Sequence, residues 1–118
     1  RGRMTEKVDY VDARFNGDDV RFRLDRKYAP MLEPHGGWHA RMRRLADGTW
    51  LIPDVSDTLH RAHPSINGAV NDVPRALEKN GAAIYAPLAM MVIAAALAGI
   101  DPDAAKWSDE DEDGADAA

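Results

Sequence analysis

AAIYAPLAMMVIAAALAGI, residues 82–100, runs nineteen residues without a charge between Asn80-Gly81 and Asp101-Pro102. As a helix, a run of this length reaches about 30 Å, enough to cross a bilayer or to fill the middle of a small domain. Composition separates the two readings. Eight alanines and Gly99 keep its mean hydropathy modest, Lys79 stands near one end, and an acidic segment follows the other. Spanning helices are richer in Leu, Ile and Phe and carry flanking Lys or Arg. The run is therefore read as the closing core helix of a small domain, with Ile84, Leu88, Met91 and Ala95 inward and Gly99 and Pro102 as stop signals. No membrane association is expected.

Around that helix there is room for one domain with one modest core, since the chain has 118 residues. The absence of cysteine excludes a disulfide scaffold, a thiolate zinc site and a thiol nucleophile, and it suits a reducing compartment. Arg1 to Tyr10 carries charges with no apolar run behind them, so no secretory signal is read and a cytoplasmic location is expected. The net charge of −5 is uneven: residues 101–118 hold eight carboxylates against Lys106, while eleven of the basic residues lie before position 47. A solvated helix face and an acidic tail account for this pattern. The expected organisation is a flexible N-terminus over residues 1–7, a single domain over 8–102, and a disordered acidic tail over 103–118.

The first strands are set by their turn. Val11, Ala13 and Phe15 alternate with polar residues, Asn16-Gly17 follows, and Val20, Phe22 and Leu24 alternate again. An Asn-Gly pair accepts the positive φ values of a type I′ turn, so a two-residue hairpin pairs 15 with 18, 13 with 20 and 11 with 22. Val11, Ala13, Phe15, Val20 and Phe22 then share one face, which must lie on helices because an isolated hairpin is marginal in water.

Helical signals fill the interval between hairpin and closing helix. Asp25 to Leu32 reads as a short helix or turn halted by Pro30, Pro34 and Gly36-Gly37. Trp38, Met42 and Leu45 form one helical face, with Arg41, Arg43 and Arg44 around the remainder and Asp47-Gly48 as the stop. Trp50, Leu51 and Ile52 are expected to return to the core. Pro53-Asp54 opens a helix with Val55, Leu59 and Ala62 inward, Pro64 closes it, and Ser65 to Gly68 is a loop. Asn71 or Asp72 caps a further short helix with Val73 and Leu77 inward. The fold class is α+β, mainly α: an N-terminal β-hairpin packed on four to five helices, the last long and apolar.

No catalytic constellation emerges. There is no nucleophile elbow and no phosphate-binding loop, and Gly36-Gly37 lacks the preceding strand such a loop needs. The pairs His35/His39 and His60/His63 have spacings that suit zinc, yet Gly36-Gly37 interrupts the first pair and Pro64 follows the second. No metal or other cofactor is expected. A helix-turn-helix over residues 38–62 is a further alternative, disfavoured by the long apolar connection and by Asp54 and Asp57 where phosphates would lie.

The order of particular stretches carries a family resemblance. These are Phe22-Arg23-Leu24, Met31-Leu32-Glu33, Arg44-Leu45-Ala46-Asp47-Gly48-Thr49-Trp50, Asp54-Val55 and the closing Ala95-Ala96-Leu97-Ala98-Gly99. Over residues 20–100 the chain resembles the small tail-assembly chaperone family of gene transfer agents and long-tailed phages, also described as tail tube proteins. The resemblance implies a non-enzymatic protein acting in the host cytoplasm, with the tape measure protein and tail tube subunits as partners. The mechanism it implies is masking of a long, apolar, helical partner by an adaptable groove. Such a groove is placed between the closing helix and the helix from Trp38 to Leu45. Trp38, Met42, Leu45, Trp50 and Met90 are its candidate partner-binding residues, since methionine repacks against varied partners. A structural tube subunit is the alternative within the family. Self-association is left open.

Overall fold

A computed structural model of the chain describes residues 6–25 and 37–110. The hairpin forms as its turn dictates: β1 (Val11–Phe15) and β2 (Asp18–Phe22) pair antiparallel, with Phe15 opposite Asp18, Ala13 opposite Val20 and Val11 opposite Phe22. Asn16 and Gly17 take φ values of 52° and 87°, the left-handed pair this turn needs. Val11, Ala13, Phe15, Val20 and Phe22 are all buried, and Phe15 and Phe22 meet edge to face at 5.2 Å.

A third strand was not foreseen. β3 (Lys106–Ser108) lies parallel to β1, with Ala13 opposite Trp107, so the sheet order is β2-β1-β3. The expectation of disorder from residue 103 is corrected for residues 103–110. A short 3-10 turn, Pro102–Ala104, leads into β3, and Asp109 and Glu110 are both hydrogen-bonded to the body. Backbone pairing supplies what their charged composition cannot. Residues 111–118 lie outside the described residues.

Four α-helices follow, α1 (Gly37–Asp47), α2 (Ile52–Ala62), α3 (Val73–Asn80) and α4 (Ala86–Ala98), of which α4 lies against β1, α1 and α2 pack on α4, and α3 packs on α2. The short helix expected over Asp25 to Leu32 falls almost wholly on residues 26–36, outside the described residues. The expected loop at Ser65 to Gly68 is instead helical from Ile66, and it runs through a π-helical turn, Gly68–Asp72, directly into α3. Neither Asn71 nor Asp72 caps α3, because the π-turn delivers the chain already helical; the Asn71 amide bonds Asn67 instead. Val73 and Ala76 are buried in α3, and Leu77 is packed against the core.

The nineteen-residue run divides in two. Ala82–Tyr85 is a 3-10 turn, and α4 begins only at Ala86, with Pro87 in the first turn where no intrahelical donor is lost. A 3-10 turn advances three residues per turn rather than 3.6, so the inward position shifts by one. Tyr85 is fully buried and Ile84, expected inside, is 44% exposed. Leu88 and Ala95 are buried as expected, and Met91 is packed against the core. Ala86, Ala89, Val92, Ile93 and Ala96 are buried too, so α4 is covered on most sides and acts as the central rod of the fold. Among the described residues no single helix is long and apolar enough to cross a membrane, and the helical stretches Gly68–Asn80 and Ala82–Ala98 meet at a bend of 117°.

Candidate functional site

The stretch Arg44 to Trp50 ends α1 and turns the chain into α2. The Asp47 carboxylate accepts hydrogen bonds from the Thr49 amide at 3.0 Å and the Thr49 hydroxyl at 2.6 Å, which holds its carboxyl below the usual range. Gly48, at φ 85°, supplies the left-handed step. Across this turn Asp54, the third residue of α2, reaches back to accept from the Leu51 amide at 2.9 Å. That is half of a capping box, because Leu51 offers no side-chain acceptor in return.

Asp54 is also the centre of a buried ion network. Arg44 approaches it bidentately at 2.9 and 2.6 Å, and Arg41 Nε lies 3.2 Å from the same carboxylate. The other end of Arg41 donates to the Thr58 hydroxyl at 3.0 Å and to Asp57 at 3.1 Å, and the Thr58 hydroxyl donates in turn to the Asp54 backbone carbonyl at 2.7 Å. Arg61 then reaches Asp57 at 3.0 Å. Arg44 holds the Asp54 carboxyl below its ordinary range against the opposing effect of burial, so Asp54 stays a charged acceptor. The expectation that Arg41 and Arg44 lie on a solvated face is corrected: Arg41 is 6% exposed, and both guanidiniums turn inward because two carboxylates are presented to them. Arginines spent in this way leave only Arg43 of the three facing solvent, which weakens the helix-turn-helix reading further.

The five candidate partner-binding residues do not line a groove. Trp38 and Leu45 are buried in the core, and Met42, Trp50 and Met90 are partly buried against it. The space expected between α1 and α4 is closed, since the two helices pack on one another. Small side chains along α4 favour such close approach.

The open surface lies one helix further on. Along the other side of α2 runs a cleft of about 620 Å³ between Pro53, Ser56, Asp57 and His60 and the facing Ala69, Val70, Val73 and Pro74. It continues into a smaller recess of about 290 Å³ that shares Asp57, His60 and Ala69 and adds Pro64 and Ile66. Large apolar side chains stand outside here. Ile66 is 83% exposed, Val70 55%, and Leu51 and Ile52 at the head of α2 are 64% and 62%. The expectation that Leu51 and Ile52 return to the core is therefore corrected: Asp54 anchors the start of α2 to α1, and the covered face begins only at Val55.

The wall of the recess depends on His63. Its ring meets Phe22 edge to face at 5.5 Å, its Nδ1 accepts from the Ser65 amide at 3.1 Å, and its buried Nε2 has no hydrogen-bond partner. Gly68 presses so closely that an added Cβ would fall 2.1 Å from the ring. Burial pushes the imidazole pKa down. His60 and His39 are exposed, and His35 lies outside the described residues. Among the described residues no three potential ligands are grouped as a metal ion requires.

Burial patterns inside the network carry one signal that sequence reading missed. Arg41 and Arg44 are spaced three apart on α1, as are Asp54 and Asp57 on α2, so each pair occupies one helix face. Matched pairs of opposite charge on successive helices are the trace such a network leaves in a sequence. No protein-family model, no curated protein and no solved structure matches this chain, so the cleft beside α2 is the candidate site on its own geometry.

Proposed function

We propose that this protein is a non-enzymatic assembly chaperone of a phage or gene-transfer-agent tail, acting in the host cytoplasm, which binds the tape measure protein and shields it until tail tube subunits cover it. One observation carries the reading: Val70 on the cleft and Ile66 on the adjoining recess stay more than half exposed, in a domain whose other large apolar side chains are mostly covered among the described residues. Exposed apolar surface gathered in one place marks an interaction site. The occupant is an amphipathic helical segment of the tape measure. The part of α2 that lines the cleft, Pro53 to His60, is about 10 Å long, two helical turns, which suits anchors at i and i+3 or i+4.

The tube alternative has less support, because rings of tube subunits close through large sheets and the sheet here has three short strands. Two of the stretches that carry the family resemblance, Arg44 to Trp50 and Asp54-Val55, meet at one corner, where Arg44 clamps Asp54 and Asp47 closes on Thr49.

The deciding experiment is co-expression with a tape measure protein of a phage or gene-transfer-agent tail. The full chain is expected to keep the tape measure soluble, and a chain carrying I52S, I66S and V70S together is expected to lose that effect while remaining folded. Stoichiometric presence of the protein in purified tails would overturn the chaperone reading in favour of the tube subunit.

A further inference from the structure

β3 is held unlike the other two strands. β1 and β2 are joined by a two-residue turn and cannot part, whereas β3 pairs for three residues and reaches its place through the connection 101–105. Everything that recognises it belongs to the body of the domain. The Asp109 carboxylate accepts from the Asn16 amide and the Tyr85 hydroxyl, each at 2.8 Å, and Glu110 accepts from Arg14 at 2.9 Å. Trp107 rests on the Tyr85 ring, 5.5 Å between centroids, and the Asp12 amide donates to the Ala105 carbonyl at 2.8 Å. The edge of β1 thus reads an extended segment with an aromatic residue and, two positions later, a carboxylate. None of these contacts requires that the segment come from the same chain.

In the connection, Asp101, Asp103 and Ala104 face solvent while Ala105 is buried. Ile100 is fixed by paired hydrogen bonds to Val8, at 2.8 and 3.0 Å, so motion begins at Asp101. Beyond it the 3-10 turn Pro102–Ala104 exposes Asp103 and Ala104, and drawing residues 101–105 out to full extension yields a reach of about 17 Å.

We propose that the β1 edge is a strand-docking site filled by the chain's own Lys106–Glu110 segment in the monomer and by the same segment of a second copy when copies assemble. The second copy is the occupant because its segment is, residue for residue, the one this edge is seen to fit. The inference is independent of the chaperone reading.

The chain has no cysteine, which makes engineered cross-links clean. Asp12 and Lys106 face each other across β1 and β3. Full-length D12C and full-length K106C, mixed and oxidised, are expected to form a disulfide-linked pair. Its yield is expected to fall about tenfold when the K106C chain also carries W107A and D109A, which remove the ring contact and a doubly bonded carboxylate. A chain lacking Asp103 and Ala104 must stretch its connection fully to reseat its own segment and is expected to run as a dimer by light scattering. A yield indifferent to W107A and D109A, or a folded shortened chain that stays monomeric, would overturn the proposal. So would binding of the isolated Ala104–Glu110 peptide without any pairing of whole chains. Should the shortened chain lose its circular dichroism, the cross-linking yield alone decides.

Discussion

Toward α1, helix α2 buries Asp54 and Thr58; toward the cleft and its adjoining recess, the segment that follows leaves Ile66 and Val70 in water. The inside of one corner is polar and the outside of its neighbour apolar. The difference lies in partners. Every acceptor presented by the Asp54 carboxylate is met, by Arg41, Arg44 or the Leu51 amide, so the charge tolerates burial. The cleft has no such completeness within the described chain, and apolar side chains with nothing over them are what a binding surface leaves when its partner is absent.

The comparison can be broken first at its buried end. Asp54→Ala leaves two guanidiniums facing one another without their shared anion and is expected to cost about 3–5 kcal/mol, measured by denaturant unfolding. That is a large part of the 5–15 kcal/mol typical of a domain. Gly68→Ala drives a methyl into the His63 ring and is expected to cost about 1–3 kcal/mol; adding His63→Ala should restore part of it, as a thermal melt would show. Burial pushes the Tyr85 phenol up to about 12, and its hydroxyl links Asn80 to Asp109. Tyr85→Phe is expected to cost about 1 kcal/mol and to speed amide hydrogen exchange in β3.

His63 sharpens the comparison by pH. Its folded pKa lies below the ordinary 6.5, so the unfolded chain takes up a proton that the folded chain refuses. The stability this gives the neutral ring is complete above about pH 6.5 and declines as pH falls through the interval below it. Unfolding curves between pH 7 and 5 should show that slope, and His63→Gln should flatten it. At the exposed end, I52S, I66S and V70S each are expected to change stability by less than about 0.5 kcal/mol, leaving the proposed partner binding as the property that moves.

How legible each part was follows from whether its cause is local. The hairpin register was readable from Asn16-Gly17 and the alternation on either side, because a two-residue turn leaves no freedom. The helices α1 and α2 were readable from their apolar spacing. Arg41 was misread because spacing alone assigns a charge to solvent, and only the opposing Asp54 and Asp57, more than ten residues away, make burial tolerable. Ile84 and Tyr85 exchanged places because a single 3-10 turn altered the helical phase. β3 left almost no local trace: three residues beside a run of acids form a strand only because β1 is waiting for them. The groove was expected between α4 and α1, where Trp38 and Leu45 are buried, and the open cleft beside α2 left no local trace, since helical spacing does not say which face stays uncovered.

The pairing of β1 with β3 also sets an order of events in time. Arg14 and Glu110, which close the sheet's far side, are separated by 96 positions, whereas the two strands of the hairpin are joined by a single turn. Contacts of such long sequence separation form slowly, after the loop between them has been closed by everything else. During synthesis the hairpin and α1 emerge and can settle while the strand that finishes their sheet is still unmade. Until residues 106–110 leave the ribosome, the edge of β1 and the Tyr85 ring are open to whatever extended chain is nearest.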